Sequence, residues 1–277
     1  MTASSPPGCP MSGHTQSLTR HTEQPTNGAR TDLSRAQGYE ETRALLKEAT
    51  LTQAGFLAKL AGQPQGGIRP PVLYMQGEEH TEMRRATARY FTPTAVNSYG
   101  PMIAALADEL IGELHAAGEL NLDDLSLRLA VQVASTVVGL TDSRLPGMEK
   151  RIEAFVTGNM DSEPGARVKA SPLRDTLMGG AVGLFFMLDV NPAIQARRKA
   201  PQDDLISYLL ERDYSDQEIL TECITYATAG MITTREFITL AAYQMLQRPE
   251  LRAEYVHGTE KERHAILHEL LRLDPVV

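Results

Sequence analysis

The chain has 277 residues, 42% of them hydrophobic, enough to bury a substantial core in one large or two medium domains. Acidic residues outnumber basic ones 35 to 27, a formal charge of -8, which argues against nonspecific attraction to nucleic acid or to an anionic membrane. With Cys9 and Cys223 as the only cysteines, neither a disulfide framework nor a Cys-rich zinc site is available, and a cytoplasmic location fits best.

In chain order, residues 1–36 are rich in Pro, Ser, Thr, Gly and His and lack a continuous apolar run, so they read as a disordered polar tail and not as a secretory signal. One domain is expected over 37–277, mainly α with little β. Apolar residues recur at helical spacing over 37–61, and "GQPQGGIRPPVLYMQG" then breaks the pattern into a loop with one short strand, Val72–Tyr74. Helical periodicity returns in "EEHTEMRRATARYF", after Pro93 in "PMIAALADELIGELHAAG", and in "LDDLSLRLAVQVASTVVGL" up to Gly139. A looser region, 141–172, leads to "GGAVGLFFMLDV" at 179–190, which is too short to span a membrane and reads as a core or pocket helix. The basic run at 197–199 precedes "DDLISYLLERDY".

In "YSDQEI", Ser215 and Glu218 make a capping box, with Tyr214 and Ile219 as a hydrophobic staple. No Pro follows until Pro249, so this helix can run for roughly thirty residues, on the order of 45 Å, and act as a central beam. A second box, Thr259 with Glu262, starts the last helix, and Asp274-Pro275 stops it.

Three segments could carry chemistry. In "TAGMITTREF", in the middle of the long helix, Gly230 lets a flat ligand approach the backbone, while Thr233 and Thr234 can bond back to the carbonyls of Ala229 and Gly230 and open the helix locally; a close helix crossing is the alternative. In "HTEMRRATARYFTP", His80 and Arg84 share a helical face with Phe91 and suit an anion such as a carboxylate, while Arg85 and Arg89 form a neighbouring exposed stripe; an ordinary solvated face would look the same. Near the end, Glu269 and Arg272 pair on a Leu-rich helix. "HELLR" has Arg272 where a zinc protease needs its second His, and His264 with His268 lack a third ligand, so no metal site is assigned.

In this order and spacing the three segments resemble a soluble bacterial cytochrome P-450, a haem-thiolate monooxygenase. The resemblance covers about residues 40–277. It implies the family's helical fold over its N-terminal two thirds, up to the helix with the Glu-x-x-Arg. It also implies that His80 and Arg84 contact the propionates of haem b, that Ala229, Gly230 and Thr233 line the dioxygen groove with Thr233 helping deliver protons, and that Glu269 with Arg272 braces the structural core. A small apolar substrate would lie among the loop 63–76, the helix at 179–187 and residues 226–233, and a ferredoxin or flavodoxin would dock at Arg85 and Arg89. In the family the chain continues to a Phe-Gly-rich loop whose Cys binds the iron; neither Cys9 nor Cys223 has that flanking pattern, so the axial ligand is expected to be absent and this chain to be an incomplete, inactive form. Ile232 also stands where the family usually places an acid of the proton relay. The alternative is a non-enzymatic helical protein that binds an apolar ligand or a partner chain.

Overall fold

The long helix of this computed structural model is built as its sequence dictates. Ser215 Oγ accepts from the Glu218 amide, and the Glu218 carboxylate accepts from the Ser215 amide, closing the capping box. Helix then runs through Asp216–Tyr226 (α9), a π-turn Ala227–Ile232 and Thr233–Gln247 (α10), with α-helical backbone angles at both joints. The beam is therefore continuous to the Pro249 that was expected to end it.

The structure describes residues 36, 38–48, 50–51, 69–160 and 172–276. The polar tail to 35 with Cys9, residues 52–61 from the first expected helix, the loop 63–68 and residues 161–171 lie outside them. The chain divides into two compact units, Met1–Thr52 and Gln53–Val277. In the first, α1 spans Tyr39–Lys47, with Glu40 and Glu41 in its first turn and Lys47 in its last, matched to the helix dipole.

The second unit contains α2 (Gly77–Ala88), α3 (Pro93–Ala117), α4 (Leu122–Val138), α5 (Met148–Met160), α6 (Pro172–Phe185), α7 (Asn191–Lys199), α8 (Leu205–Glu211), the long helix, α11 (Pro249–His257) and α12 (Glu260–Leu273). A π-turn, Phe186–Val190, joins α6 to α7. No strand occurs among the described residues. The expected strand Val72–Tyr74 is a 3-10 turn, closed by the Tyr74 amide on the Pro71 carbonyl at 2.8 Å. Pro70 and Pro71 bring no amide protons to a ladder, and a side chain of the long helix takes that of Val72.

Helix α4 packs along α10 and its π-turn, α5 along α6, and the 186–190 turn against α9. The core between them holds Ile152, Phe155, Phe185, Ile194, Ile206, Leu209, Ile219 and Met231, with the Phe155 and Phe185 rings 5.4 Å apart. Helix α4 ends at Gly139 with φ 97°, and a Cβ there would lie 2.5 Å from Asp204 Oδ2, so this position requires glycine on both counts. Asp204 is buried because it caps α8 and takes the guanidinium of Arg197, itself 2% exposed and also bonded to Asp142 and Thr141. Arg197 thus leaves the basic run at 197–199. It follows Val190, Ala193 and Ile194 at helical spacing on the inward face of α7.

Candidate functional site

The π-turn Ala227–Ile232 sorts its residues into two faces. Ala227, Met231 and Ile232 are buried, while Tyr226, Ala229, Gly230, Thr233 and Thr234 look outward to varying degrees. A π-turn shifts main-chain amides away from their usual carbonyl partners. Here the freed carbonyls are taken by side chains: Thr233 Oγ1 donates to Ala229 O at 2.7 Å and Thr234 Oγ1 to Gly230 O at 2.5 Å. That is the local opening expected from the Gly-Thr-Thr pattern. A Cβ at Gly230 would meet no other group within 4 Å among the described residues, so there the outer side of the turn is open and no close helix crossing explains the glycine.

His80 and Arg84 sit on α2, half-buried and exposed respectively, and neither has an ion-pair partner among the described residues. The Phe91 ring, just beyond α2, stacks on Tyr226 with centroids 6.3 Å apart and planes 2° from parallel. Burial pushes the Tyr226 hydroxyl above its ordinary range, against hydrogen bonding with Thr87 and the nearby charge of Arg84. Tyr226 lies one helical turn before Gly230, so this stack brings the end of α2 to the outer face of the π-turn. Residue spacing does not announce the contact of Phe91 with Tyr226, because its partners are far apart in the chain.

Arg85 and Arg89 are both exposed. Arg89 is nevertheless engaged: Nη2 donates to Tyr90 Oη at 2.5 Å, lies 3.8 Å from Asp203, and the guanidinium covers the Tyr90 and Tyr208 rings. On α12, Arg272 makes a bidentate pair with Glu269, at 2.8 and 2.6 Å, and both side chains are more than half exposed. The structure therefore forms this pair on the surface of the described residues, away from the core.

Cys223 is fully buried, and burial pushes its thiol far above the usual range, so it stays protonated and is a poor metal ligand. No group of His, Cys, Asp and Glu suited to a metal ion occurs among the described residues, and no described helix is long and apolar enough to cross a membrane. Glu222 escaped sequence reasoning although its signal was present: Glu218, Glu222 and Tyr226 recur every four residues on one face of α9. Glu222 is 1% exposed and accepts from the Val72 amide at 2.9 Å.

No family model matches the chain. Individual proteins do. The chain is 25% identical over 221 residues to the biotin biosynthesis cytochrome P450 of Bacillus subtilis, covering 77% of this chain and 54% of that one. It is 27% identical over 246 residues to the mycinamicin IV hydroxylase/epoxidase of Micromonospora griseorubida, covering 86% and 58%. The crystal structure of P450BioI in complex with an acyl carrier protein ligated to hexadec-9Z-enoic acid superposes with a TM-score of 0.63 at 23% identity, over 85% of this chain and 60% of that chain. The chain thus spans little more than half the length of these curated relatives. Across that shared part the chain is similar in sequence to bacterial cytochromes P450 and shares their helical fold.

Proposed function

We propose that this chain is part of a haem-dependent monooxygenase, a partial P450 domain over 37–277 that holds haem b against the outer face of the π-turn and contributes to oxidising a small apolar molecule. The observation that carries the reading is the notch itself, where an open Gly230 and two back-bonded threonines interrupt an otherwise well-packed helix. These residues fit a flat ligand with an anionic edge: open space above Gly230 accommodates a planar face, and His80 and Arg84 are donor groups without ion-pair partners among the described residues. When bound, the haem iron supplies the redox chemistry that activates dioxygen.

The chain's own residues have narrower tasks. His80 and Arg84 hold the propionates, and Ala229 and Gly230 keep the notch free of side chains. The Thr233 hydroxyl donates to Ala229 O and so presents its lone pairs to water in the notch, where it holds a proton for delivery. Ile232 takes no part, since its side chain is 3% exposed and belongs to the core. Cys223, fully buried in the core, is not assigned as a ligand that would hold the haem iron. Arg85, with Arg89 beside it, is the proposed docking point for a ferredoxin or flavodoxin. An apolar substrate is in keeping with the acyl chain carried by the acyl carrier protein in the P450BioI complex.

The test is a titration of the purified chain with haemin, followed by its Soret absorbance. Saturable uptake of one equivalent is expected, weakened about tenfold or more in the His80→Ala/Arg84→Ala variant. Absence of saturable uptake, or equal affinity in the variant, would overturn the assignment.

A further inference from the structure

We propose that Glu222 is a positioning residue: its carboxyl group latches segment 69–75 onto the long helix, and the latch loosens when that group loses its proton. Two acids one turn apart on α9 hold this segment by its main chain. Glu218 Oε1 accepts from the Arg69 amide at 2.7 Å, and Glu222 Oε1 from the Val72 amide at 2.9 Å. Their environments are opposite. Burial works against the charge on Glu218, but hydrogen bonds from the Arg69 amide and from the amide and hydroxyl of Ser215 outweigh it and hold that carboxyl below its ordinary range. Glu222 has only the Val72 amide, and its Oε2 is buried without a hydrogen-bond partner among the described residues.

Titratable groups around Glu222 do not relieve it. Arg69 stacks on Tyr214 at 4.6 Å and donates to the Arg212 carbonyl at 2.9 Å, so its guanidinium is engaged elsewhere. Tyr214 ahead of the helix, and Cys223 and Tyr226 beside Glu222 on it, are each pushed upward chiefly by burial and further by the charge of Glu222. Glu218 adds a second negative charge on the same face. Burial accordingly pushes the Glu222 carboxyl up from 4.5 to about 7, with only the Val72 amide opposing.

If segment 69–75 lifts, water reaches Glu222 and its ordinary acidity returns. The latched form therefore binds the proton more tightly than the open one. Latching is strongest below the ordinary value of 4.5, is lost as pH rises toward about 7, and is level above that. Segment 69–75 belongs to the loop 63–76, which the family resemblance implies as a wall of the substrate pocket; the consequence that a proton governs that wall rests on the proposed monooxygenase reading, whereas the latch itself does not.

The experiment is amide hydrogen exchange on the haem-free chain between about pH 5 and about pH 8, expressed as protection relative to intrinsic exchange at each pH. Protection at Val72 and Tyr74 is expected to fall by up to about tenfold per pH unit below about pH 7 and then to level off. Glu222→Gln keeps an acceptor for Val72 and carries no charge, so its protection should stay high and flat. Glu218→Gln should lower protection at every pH while preserving the slope. A flat wild-type profile, or an unchanged slope in Glu222→Gln, would overturn the latch. Because no haem is present, neither result depends on the haem assignment, and a failed haemin titration would leave this profile unaffected.

Discussion

Two π-turns interrupt helices among the described residues, and their carbonyls and charges are satisfied in different ways. At Phe186–Val190 the inner side of the turn faces the core while Met187 is exposed: Asp189 and Val190 are fully buried, and Asp189 receives a bidentate pair from Arg151, both bonds 2.7 Å. Arg151 also donates to the carbonyls of Leu145 and Pro146, so one guanidinium ties the turn to the start of α5. At Ala227–Ile232 only the inner residues are buried, and the outer carbonyls are satisfied by threonines of their own helix. A backbone irregularity is therefore not in itself a sign of function. One is tied by an ion pair to another helix, whereas the other is satisfied within its own helix and leaves Gly230 open to a ligand.

Breaking the first turn should have the larger effect. Arg151→Ala leaves Asp189 as a buried carboxylate without its partner, and a loss of roughly 3–5 kcal/mol in urea unfolding is expected. Arg151→Lys, which cannot reproduce the fork, should recover only part of it. A loss below about 1 kcal/mol for the alanine variant would mean that the pair is not the anchor of that turn. Ile232→Asp probes the inner side of the second turn. An acid at this position would enter the core beside Met231, so a loss of about 2–4 kcal/mol is expected, with no gain in proton delivery to offset it. Unchanged stability would show that residue 232 can turn outward into the notch, where an acid could take the relay role that the family resemblance implies.

What could be read from the sequence follows from the reach of each interaction. The capping boxes at Ser215 and Thr259 involve residues three apart, and both formed as expected. The back-bonds of Thr233 and Thr234 span four residues and were equally legible. Arg151 with Asp189, Arg197 with Asp142, and Glu222 with Val72 join residues 38, 55 and 150 positions apart, and composition gives no hint of such pairings. Asp189 is instructive, because an acid ending an apolar run reads as evidence against a membrane span, whereas in the fold it marks a buried ion pair. The short strand at Val72–Tyr74 was misread because β-branched and aromatic residues outweighed Pro70-Pro71, whose missing amides decide the matter.

The smaller predictions sharpen the contrast along the long helix. Ser215→Ala removes one half of the capping box at its N-terminal end and should cost about 1 kcal/mol. Glu269→Ala should leave the unfolding midpoint unchanged, because its pair with Arg272 lies in water, and a clear loss would reveal a contact that the described residues lack. Thr233→Val is the finest test of the second turn. The hydroxyl it removes satisfies the carbonyl of Ala229, a residue exposed to solvent, so water can replace the lost hydrogen bond and the penalty should stay below about 1 kcal/mol. Valine keeps the shape and β-branching of threonine, so the π-turn should persist. If Thr233→Val instead cost as much as Arg151→Ala, the hydroxyl would be holding the backbone open as a structural element, and the two π-turns would differ in exposure but not in kind.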